Sequence, residues 1–467
     1  MNNEVKGAER NSNDKIEAID TFIQNKLDKN HIPGAAVAIT YNNEVIFTKG
    51  YGKSENGAPI TDHTGFPIAS LSKAFTALAV MQLVEEDKVN LDQPIATYLP
   101  SLISKDKKWS KVTPRHLLNH TSGLTDKAYP DMTVDPQPKS LEDMVRKLKN
   151  VSLTSEPGTE YHYNNTNYQL LALLVERVSN EEFSSYLNHH IFVPLEMKDT
   201  FNVSNTKQFN KSNKLTEGHY FLFGQLIAKD EPEWFINGPA GMVSTAKDMA
   251  NWLILQENEG TYKGHELLSS KGIQEMQTPT GTKISYGMGW NTFKDYNENR
   301  LQHSGILWTY KSEALILPES GYGIVILFNS GLNAFVDYYS FIDGIANILT
   351  NQDVNEPFYN NQLFEGIVGF IIVLSIILGV RQLLRVNRWA EKFKKGPKWR
   401  FALNFSLRLI PLFLLIFLPK IMTFIGGGRV LSWEGILLMI PSVCVLLVVV
   451  SLVNLLIVIF RVKRIFE

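Results

Sequence analysis

The sequence predicts an α+β fold: an antiparallel β-sheet flanked by helices, carrying a helical insertion and followed by three C-terminal transmembrane helices. Three observations predict it. Strand-like runs stand near both ends of the first three quarters, Ala35–Thr40 and Val45–Lys49 early, Glu313–Leu317 and Gly323–Phe328 late. The text between them, from about Leu91 to Thr280, reads as mainly helical with many loops, so strands from both termini must assemble into one sheet. Beyond residue 355 the composition shifts abruptly to long uncharged apolar stretches.

At 467 residues the chain exceeds one typical core, and two domains are expected, 1–355 and 356–467. Lys and Arg number 46 against 47 Asp and Glu, a net charge of -1, which gives no basis for a nucleic-acid partner. The one cysteine, Cys444, excludes an intramolecular disulfide and any cysteine metal or redox site. No H-E-x-x-H, Walker A, G-x-S-x-G or dinucleotide glycine pattern occurs; His265-Glu266-Leu267-Leu268-Ser269 lacks the second histidine. Neither a metal nor a cofactor is expected.

In chain order, residues 1–14 are polar and carry no apolar signal segment. A helix follows, with Ile16, Ile19, Phe22, Ile23 and Leu27 on one side. Tyr41-Asn42-Asn43-Glu44 signals a hairpin between the first two strands. The late strands flank Pro318-Glu319-Ser320-Gly321, and a helix from about Ala334 to Leu349 closes the domain.

In the tail, spans are expected at about 363–384, 409–425 and 435–460; the first can cross about 30 Å of hydrocarbon, and the second is weaker, with Arg408 and Lys420 snorkelling to opposite interfaces. Between the first two lie Arg381, Arg385, Arg388, Lys392, Lys394, Lys395, Lys398 and Arg400 against one acid, Glu391. The positive-inside rule puts that loop in the cytoplasm and the N-terminal domain outside. An outward domain needs an export signal; the expectation is a segment upstream of this numbering, the alternative being export by the first span.

Ile68-Ala69-Ser70-Leu71-Ser72-Lys73 carries the first candidate chemistry. At i and i+3 near a helix start, the Ser70 hydroxyl and the Lys73 amine share a face, and the helix N-terminus favours developing negative charge. A serine needs such a base to become a nucleophile. S-x-x-K is too short to decide anything alone, so its weight comes from two further segments. Tyr163 and Asn165 have the spacing Y-x-N, a phenol able to exchange protons and a carboxamide able to hold an amide. His303-Ser304-Gly305, before the Glu313 strand, places an imidazole, a hydroxyl and a glycine where one wall of a cleft could stand.

Ser70-x-x-Lys73, Tyr163-x-Asn165 and His303-Ser304-Gly305, in that order, resemble the three-motif set of the penicillin-recognising serine hydrolases. The resemblance is to the branch of class C β-lactamases, D-alanyl-D-alanine carboxypeptidases and esterases. His116–Leu124, Gly238–Met249 and Tyr286-Gly287-Met288-Gly289-Trp290 are similar to further signatures of that family, over about residues 15–350. The resemblance implies a β-lactamase/transpeptidase-like fold. It makes Ser70 the acylated nucleophile, gives Lys73 and Tyr163 the base and acid duties, and has Asn165, His303, Ser304 and Gly305 bind substrate. The backbone N–H groups of Ser70 and Ile306 would form the oxyanion hole. His116, Asn119 and His120 are expected to be structural. His303 stands where many relatives have lysine, and the expectation is an anion-recognising charge that titrates around pH 6–7.

The expected function is a membrane-anchored serine hydrolase acting outside the bacterial plasma membrane through an acyl-enzyme on Ser70. Three spans after such a domain resemble teichoic-acid D-alanyl esterases and membrane D-amino-acid peptidases. The substrate is therefore expected to be a small molecule or peptide with an amide or ester at a D-amino acid, and the lipid bilayer is the expected partner. Alternatives are a β-lactamase, a D-alanyl-D-alanine carboxypeptidase, a β-lactam-binding sensor, and a non-catalytic binding protein.

Overall fold

The computed structural model describes residues 12–102, 104–280, 285–294, 298–354, 361–394 and 397–466. The expected domain boundary at 355/356 and Lys395 of the basic loop lie outside the described residues. The chain divides into two compact units. One holds the described residues up to Tyr220, then Ala228–Leu332 and those from Asp337 to 354; the other holds Phe221–Ile227, Asn333–Val336 and those from Asn361 onward.

In the first unit, helix α1 (Ser12–Asn30) buries Ile19, Ile23 and Leu27 at the four-residue spacing of one face. Strands β1 (Gly34–Tyr41) and β2 (Glu44–Gly52) form the early hairpin. Asn42 and Asn43 between them have φ of 48° and 68°, the pair of positive values that a two-residue type I′ turn needs and asparagine tolerates. The late strands are β3 (Asn291–Phe293), β4 (Arg300–Ile306), β5 (Lys311–Leu317) and β6 (Tyr322–Phe328). The six-stranded sheet runs β3-β4-β5-β6-β1-β2, every pair antiparallel. Ala35 opposite Phe328 through Tyr41 opposite Tyr322 join the two ends of the unit, as expected. The sequence predicts no strand at β3 or β4; these short, half-polar runs lack a long alternating pattern, and pairing makes them strands, β4 on β5 and β3 on β4.

The insertion contributes α2 (Ser72–Glu85) and α3 (Thr166–Ser179), which pack on each other. Helix α4 (Ala246–Glu257) covers one face of the sheet and α5 (Tyr339–Leu349) the other. Residues five apart on a strand face opposite ways. Accordingly Gly323 of β6 abuts Glu257 of α4, while Phe328 packs on Phe341 of α5 with ring centroids 5.1 Å apart. With both faces covered, β1 is buried up to Thr40, which explains its continuous apolar text. Helix α5 starts at Tyr339, not near Ala334 as expected. Residues 333–336 fold with the other unit, and the Asp337 carboxylate accepts the Ser340 N–H at 3.2 Å, a capping contact that marks where the helix can begin.

The second unit contains α6 (Asn361–Leu384), α7 (Val386–Lys394), α8 (Lys398–Ile425), α9 (Trp433–Met439) and α10 (Pro441–Phe466). Among the described residues, three segments are long and apolar enough to cross a membrane: Asn361–Leu384, Ala402–Ile425 and Pro441–Phe466. The expected third span, 435–460, is corrected. Ile440 precedes Pro441, whose ring disfavours helical backbone at the residue before it, and Ile440 leaves the helix at φ -138°, ψ 51°. The third long apolar helix therefore starts at Pro441. The second apolar segment starts at Ala402, earlier than the expected 409, and Arg408 within it donates to Asn454 Oδ1.

Candidate active site

Ser70 lies in a 3₁₀ turn, Ala69–Leu71, that leads into α2. Ala69 has φ 48°, a left-handed backbone that costs a non-glycine residue about 1 kcal/mol. The turn is held from two sides. The Ile68 N–H donates to Met242 O at 2.9 Å, and Ser312 Oγ of β5 donates to Ile68 O at 2.8 Å. Strand β4 then lies against it so closely that a Cβ on Gly305 would stand 2.1 Å from Ser312 Oγ and 2.3 Å from Ile68 O. Only a glycine fits there.

Lys73, one turn beyond Ser70 at the start of α2, is fully buried. Its Nζ lies 3.1 Å from Ser70 Oγ, 2.8 Å from Asn165 Oδ1 and 3.1 Å from Pro239 O. The two carbonyl oxygens can only accept, so they take two N–H bonds in either protonation state. The remaining direction of the nitrogen points at Ser70: an N–H when charged, a lone pair when neutral. Tyr163 OH lies 3.0 Å from Ser70 Oγ, and Lys73 Nζ lies 4.8 Å from the centre of the Tyr163 ring. The serine hydroxyl thus meets both proton-exchanging groups.

The Tyr163–Asn165 segment is positioned by buried neighbours. Asn164 N–H and Asn167 Nδ2 point at His120 Nδ1, at 3.3 Å and 3.0 Å, and the His120 ring lies 4.4 Å from that of Tyr163. Asp131 accepts the Asn165 N–H, and Asp126 accepts from Asn164 Nδ2 at 3.0 Å. His116 belongs to a capping box with Thr113. These contacts agree with the structural role expected of both histidines.

His303 is on β4 and buried, 5 % exposed. Its Nδ1 lies 2.9 Å from Ser304 O; a carbonyl only accepts, so Nδ1 carries the hydrogen and Nε2 accepts from Tyr286 OH at 3.1 Å. Burial, with the charges of Lys73 and Lys311 as further causes, pushes its pKa down to about 3. The expected charge titrating around pH 6–7 is therefore corrected: the ring is neutral there. Ser304 Oγ lies 3.2 Å from Tyr339 OH.

Leu307 N–H bonds to Tyr310 O at 3.0 Å across the β4–β5 ladder. Alternation turns the preceding N–H, that of Ile306, away from β5. On that side β3 pairs only with Arg300–Gln302, so the Ile306 amide is outside both ladders. Behind it, Glu231 is buried and accepts the Trp308 N–H at 3.0 Å and the Thr309 N–H at 2.9 Å.

All seven positions expected from the sequence, together with Ile306, thus come from the nucleophile turn, the start of α2, the segment before α3, and β4. Sequence reasoning missed Pro239 O, Tyr286, Asp131 and Glu231. The first two sit inside the Gly238–Met249 and Tyr286–Trp290 signatures; the two acids stand in loop text with no motif. Among the described residues, no group of His, Cys, Asp or Glu could hold a metal ion.

A family model described as Beta-lactamase matches residues 19–339. Protein flp of Staphylococcus aureus strain MW2 is 31 % identical over 362 residues, 75 % of this chain and 69 % of that protein. Unguisins hydrolase ungD' of Aspergillus campestris is 24 % identical over 326 residues, 66 % of this chain and 60 % of that protein. An octameric penicillin-binding protein homologue from Pyrococcus abyssi is similar with a TM-score of 0.62 and 25 % identity, covering 72 % of this chain and 78 % of its own. EstCE1, a hydrolase with promiscuous acyltransferase activity, shares the fold at a TM-score of 0.62 and 21 % identity, over 72 % and 99 % of the two chains.

Proposed function

Because the chain belongs to the Beta-lactamase family of serine hydrolases, we propose that it hydrolyses an amide or ester through an acyl-enzyme on Ser70. The observation that carries this reading is the contact of Ser70 Oγ with both Lys73 Nζ, at 3.1 Å, and Tyr163 OH, at 3.0 Å. In the first step Oγ attacks the substrate carbonyl and its proton passes to Lys73 or Tyr163. The Ser70 and Ile306 N–H groups stabilise the oxyanion, each such donor contributing roughly 3 kcal/mol to lowering the barrier. The leaving amine or alcohol takes a proton from the same pair, and water then releases the acyl group. Asn165 turns its carbonyl to Lys73, which leaves its NH₂ as the group to meet a substrate carbonyl.

The substrate proposed is one with a D-amino acid beside the scissile bond. Its support is the resemblance to membrane D-aminoacyl peptidases and esterases. The neutral His303 favours this over a D-alanyl-D-alanine carboxypeptidase, since a free C-terminal carboxylate gains no ionic partner from that position. The proposal makes residues 1–355 the catalytic domain, outside the membrane, and 356–467 the anchor, supported by the three apolar helices and the basic stretch between the first two.

The test is intact-protein mass after incubation with D-aminoacyl amides and esters, their L counterparts and a penicillin. An added acyl mass from the D compounds, absent in Ser70→Ala, is expected. A penicillin adduct alone, or equal acylation by L compounds, would sink the D-amino-acid assignment; no adduct from any reagent, fluorophosphonate included, would sink the acyl-enzyme.

A further inference from the structure

Two arginines lie inside the helices of the C-terminal unit with no acid beside them. Arg408 of α8 donates to Asn454 Oδ1 at 2.8 Å, to Asn404 Oδ1 at 3.3 Å and to Gln382 Oε1. Arg461 of α10 donates to Asn404 Oδ1 at 2.7 Å and to the same Gln382 Oε1 at 3.1 Å. Arg461 is 5 % exposed, and its Nε is buried without a hydrogen-bond partner. Its guanidinium stacks on Trp389, 4.2 Å from the ring centre.

Every acceptor in this network is a neutral carboxamide, so two positive charges share it uncompensated. Buried charge in apolar surroundings is costly until something of opposite sign meets it. Between residues 366 and 433 the sequence holds one acid, Glu391, and that side chain is exposed on α7. Beside the network opens a cavity of about 360 Å³ lined by Leu378, Arg381, Gln382, Arg385, Arg388, Trp389 and Arg461. Four arginines thus line one volume.

We propose that this cavity binds a phosphate-bearing anion. Planar guanidinium forks match phosphate oxygens in pairs, which a scatter of lysines would not. The cavity lies where α6 and α10 both end, at the level where an apolar span gives way to lipid headgroups. Trp389 beside it is the residue type that prefers that level, and basic pockets between spanning helices suit anionic headgroups. Occupancy by a phosphate would complete the charge of the Arg408–Arg461 network and tie α6, α7 and α10 together.

The test uses the full chain, delipidated in detergent, with native mass spectrometry reading retained phosphatidylglycerol against phosphatidylcholine. Preferential retention of phosphatidylglycerol is expected, falling about tenfold or more in R385A/R388A. Both side chains are exposed, so their removal does not test folding. K463A/R464A, which removes the same charge outside the cavity lining, is expected to change retention by less than about twofold. Phosphatidylglycerol that withstands excess inorganic phosphate assigns the site to a lipid headgroup; displacement assigns it to free phosphate. Equal retention of both lipids, or an equal loss in the two double variants, would overturn the proposal.

Discussion

The imidazole of His303 lies 3.1 Å from the Tyr286 hydroxyl in the wall of the cleft; with Nδ1–H given to Ser304 O and burial keeping the ring neutral, Nε2 is left as the acceptor. Burial holds the Tyr286 phenol protonated, well above its ordinary range, so it is a lasting donor. The position that in many relatives carries a permanent positive charge is here electrically silent near neutral pH.

The rate of Ser70 acylation should therefore show no ionisation from His303 between pH 5 and 8. The sign for stability follows from the same depression to about pH 3: unfolded histidine binds a proton near pH 6.5 and the folded ring does not. Stability conferred by the neutral form is present above pH 6.5 and lost as pH falls towards 3, at about 1 kcal/mol per pH unit. Denaturant melts of wild type and His303→Gln from pH 7 to 4 check this, and an acylation inflection near 6.5 that vanishes in His303→Gln would refute it.

Removing either proton-exchanging partner of Ser70 should slow acylation by roughly 10²- to 10⁴-fold. Tyr163→Phe keeps the ring that Lys73 packs against, so stability should change by less than Lys73→Met does. The double variant should lose far less than the product of the single losses, because the pair acts on one proton. Stopped-flow labelling with a fluorophosphonate measures all three.

Gly305→Ala should slow acylation while leaving the sheet intact. Its methyl would press on Ser312 Oγ and Ile68 O, pushing β4 from the nucleophile turn and moving the Ile306 amide. A destabilisation of about 1–3 kcal/mol is expected, with labelling reduced more than tenfold beyond any loss of folded protein. Unchanged labelling would show that the oxyanion does not depend on this approach.

Far from the cleft, Glu257 of α4 is held by burial at a pKa of about 7 despite accepting from Thr40 Oγ1 at 2.5 Å. An acid raised from 4.5 contributes stability below pH 4.5 that is lost as pH rises through 7. Glu257→Gln should accordingly be more stable than wild type at pH 8, by about 2 kcal/mol, and the gap should close by pH 4. Thermal melts across that range decide it.

Much of this protein was legible in the linear text. Ser70 and Lys73 share a helix face because of three-residue spacing, and Asn42-Asn43 tolerate the backbone their turn demands; both are local consequences of covalent geometry. The apolar spans are equally local, since length and hydropathy alone set what can cross hydrocarbon. The break before Pro441 was not legible in the sequence: a proline ring disfavours helix at the preceding residue, yet Pro411 and Pro419 stand inside the continuous α8.

Other properties depend on atoms distant in sequence and had no local signal. Two short half-polar runs became strands because β5 offered β4 a ladder and β4 offered one to β3. Glu231 reached the Trp308–Thr309 amides only by folding. The charge of His303 was decided in the same way: a free imidazole titrates near neutrality, but Tyr286, Lys73 and Lys311, brought in by three other segments, shut out water and make the cation unfavourable. Residue type and spacing determined which groups are present and which near neighbours can meet; burial and long-range contact, which no window of sequence contains, decided their protonation and aim.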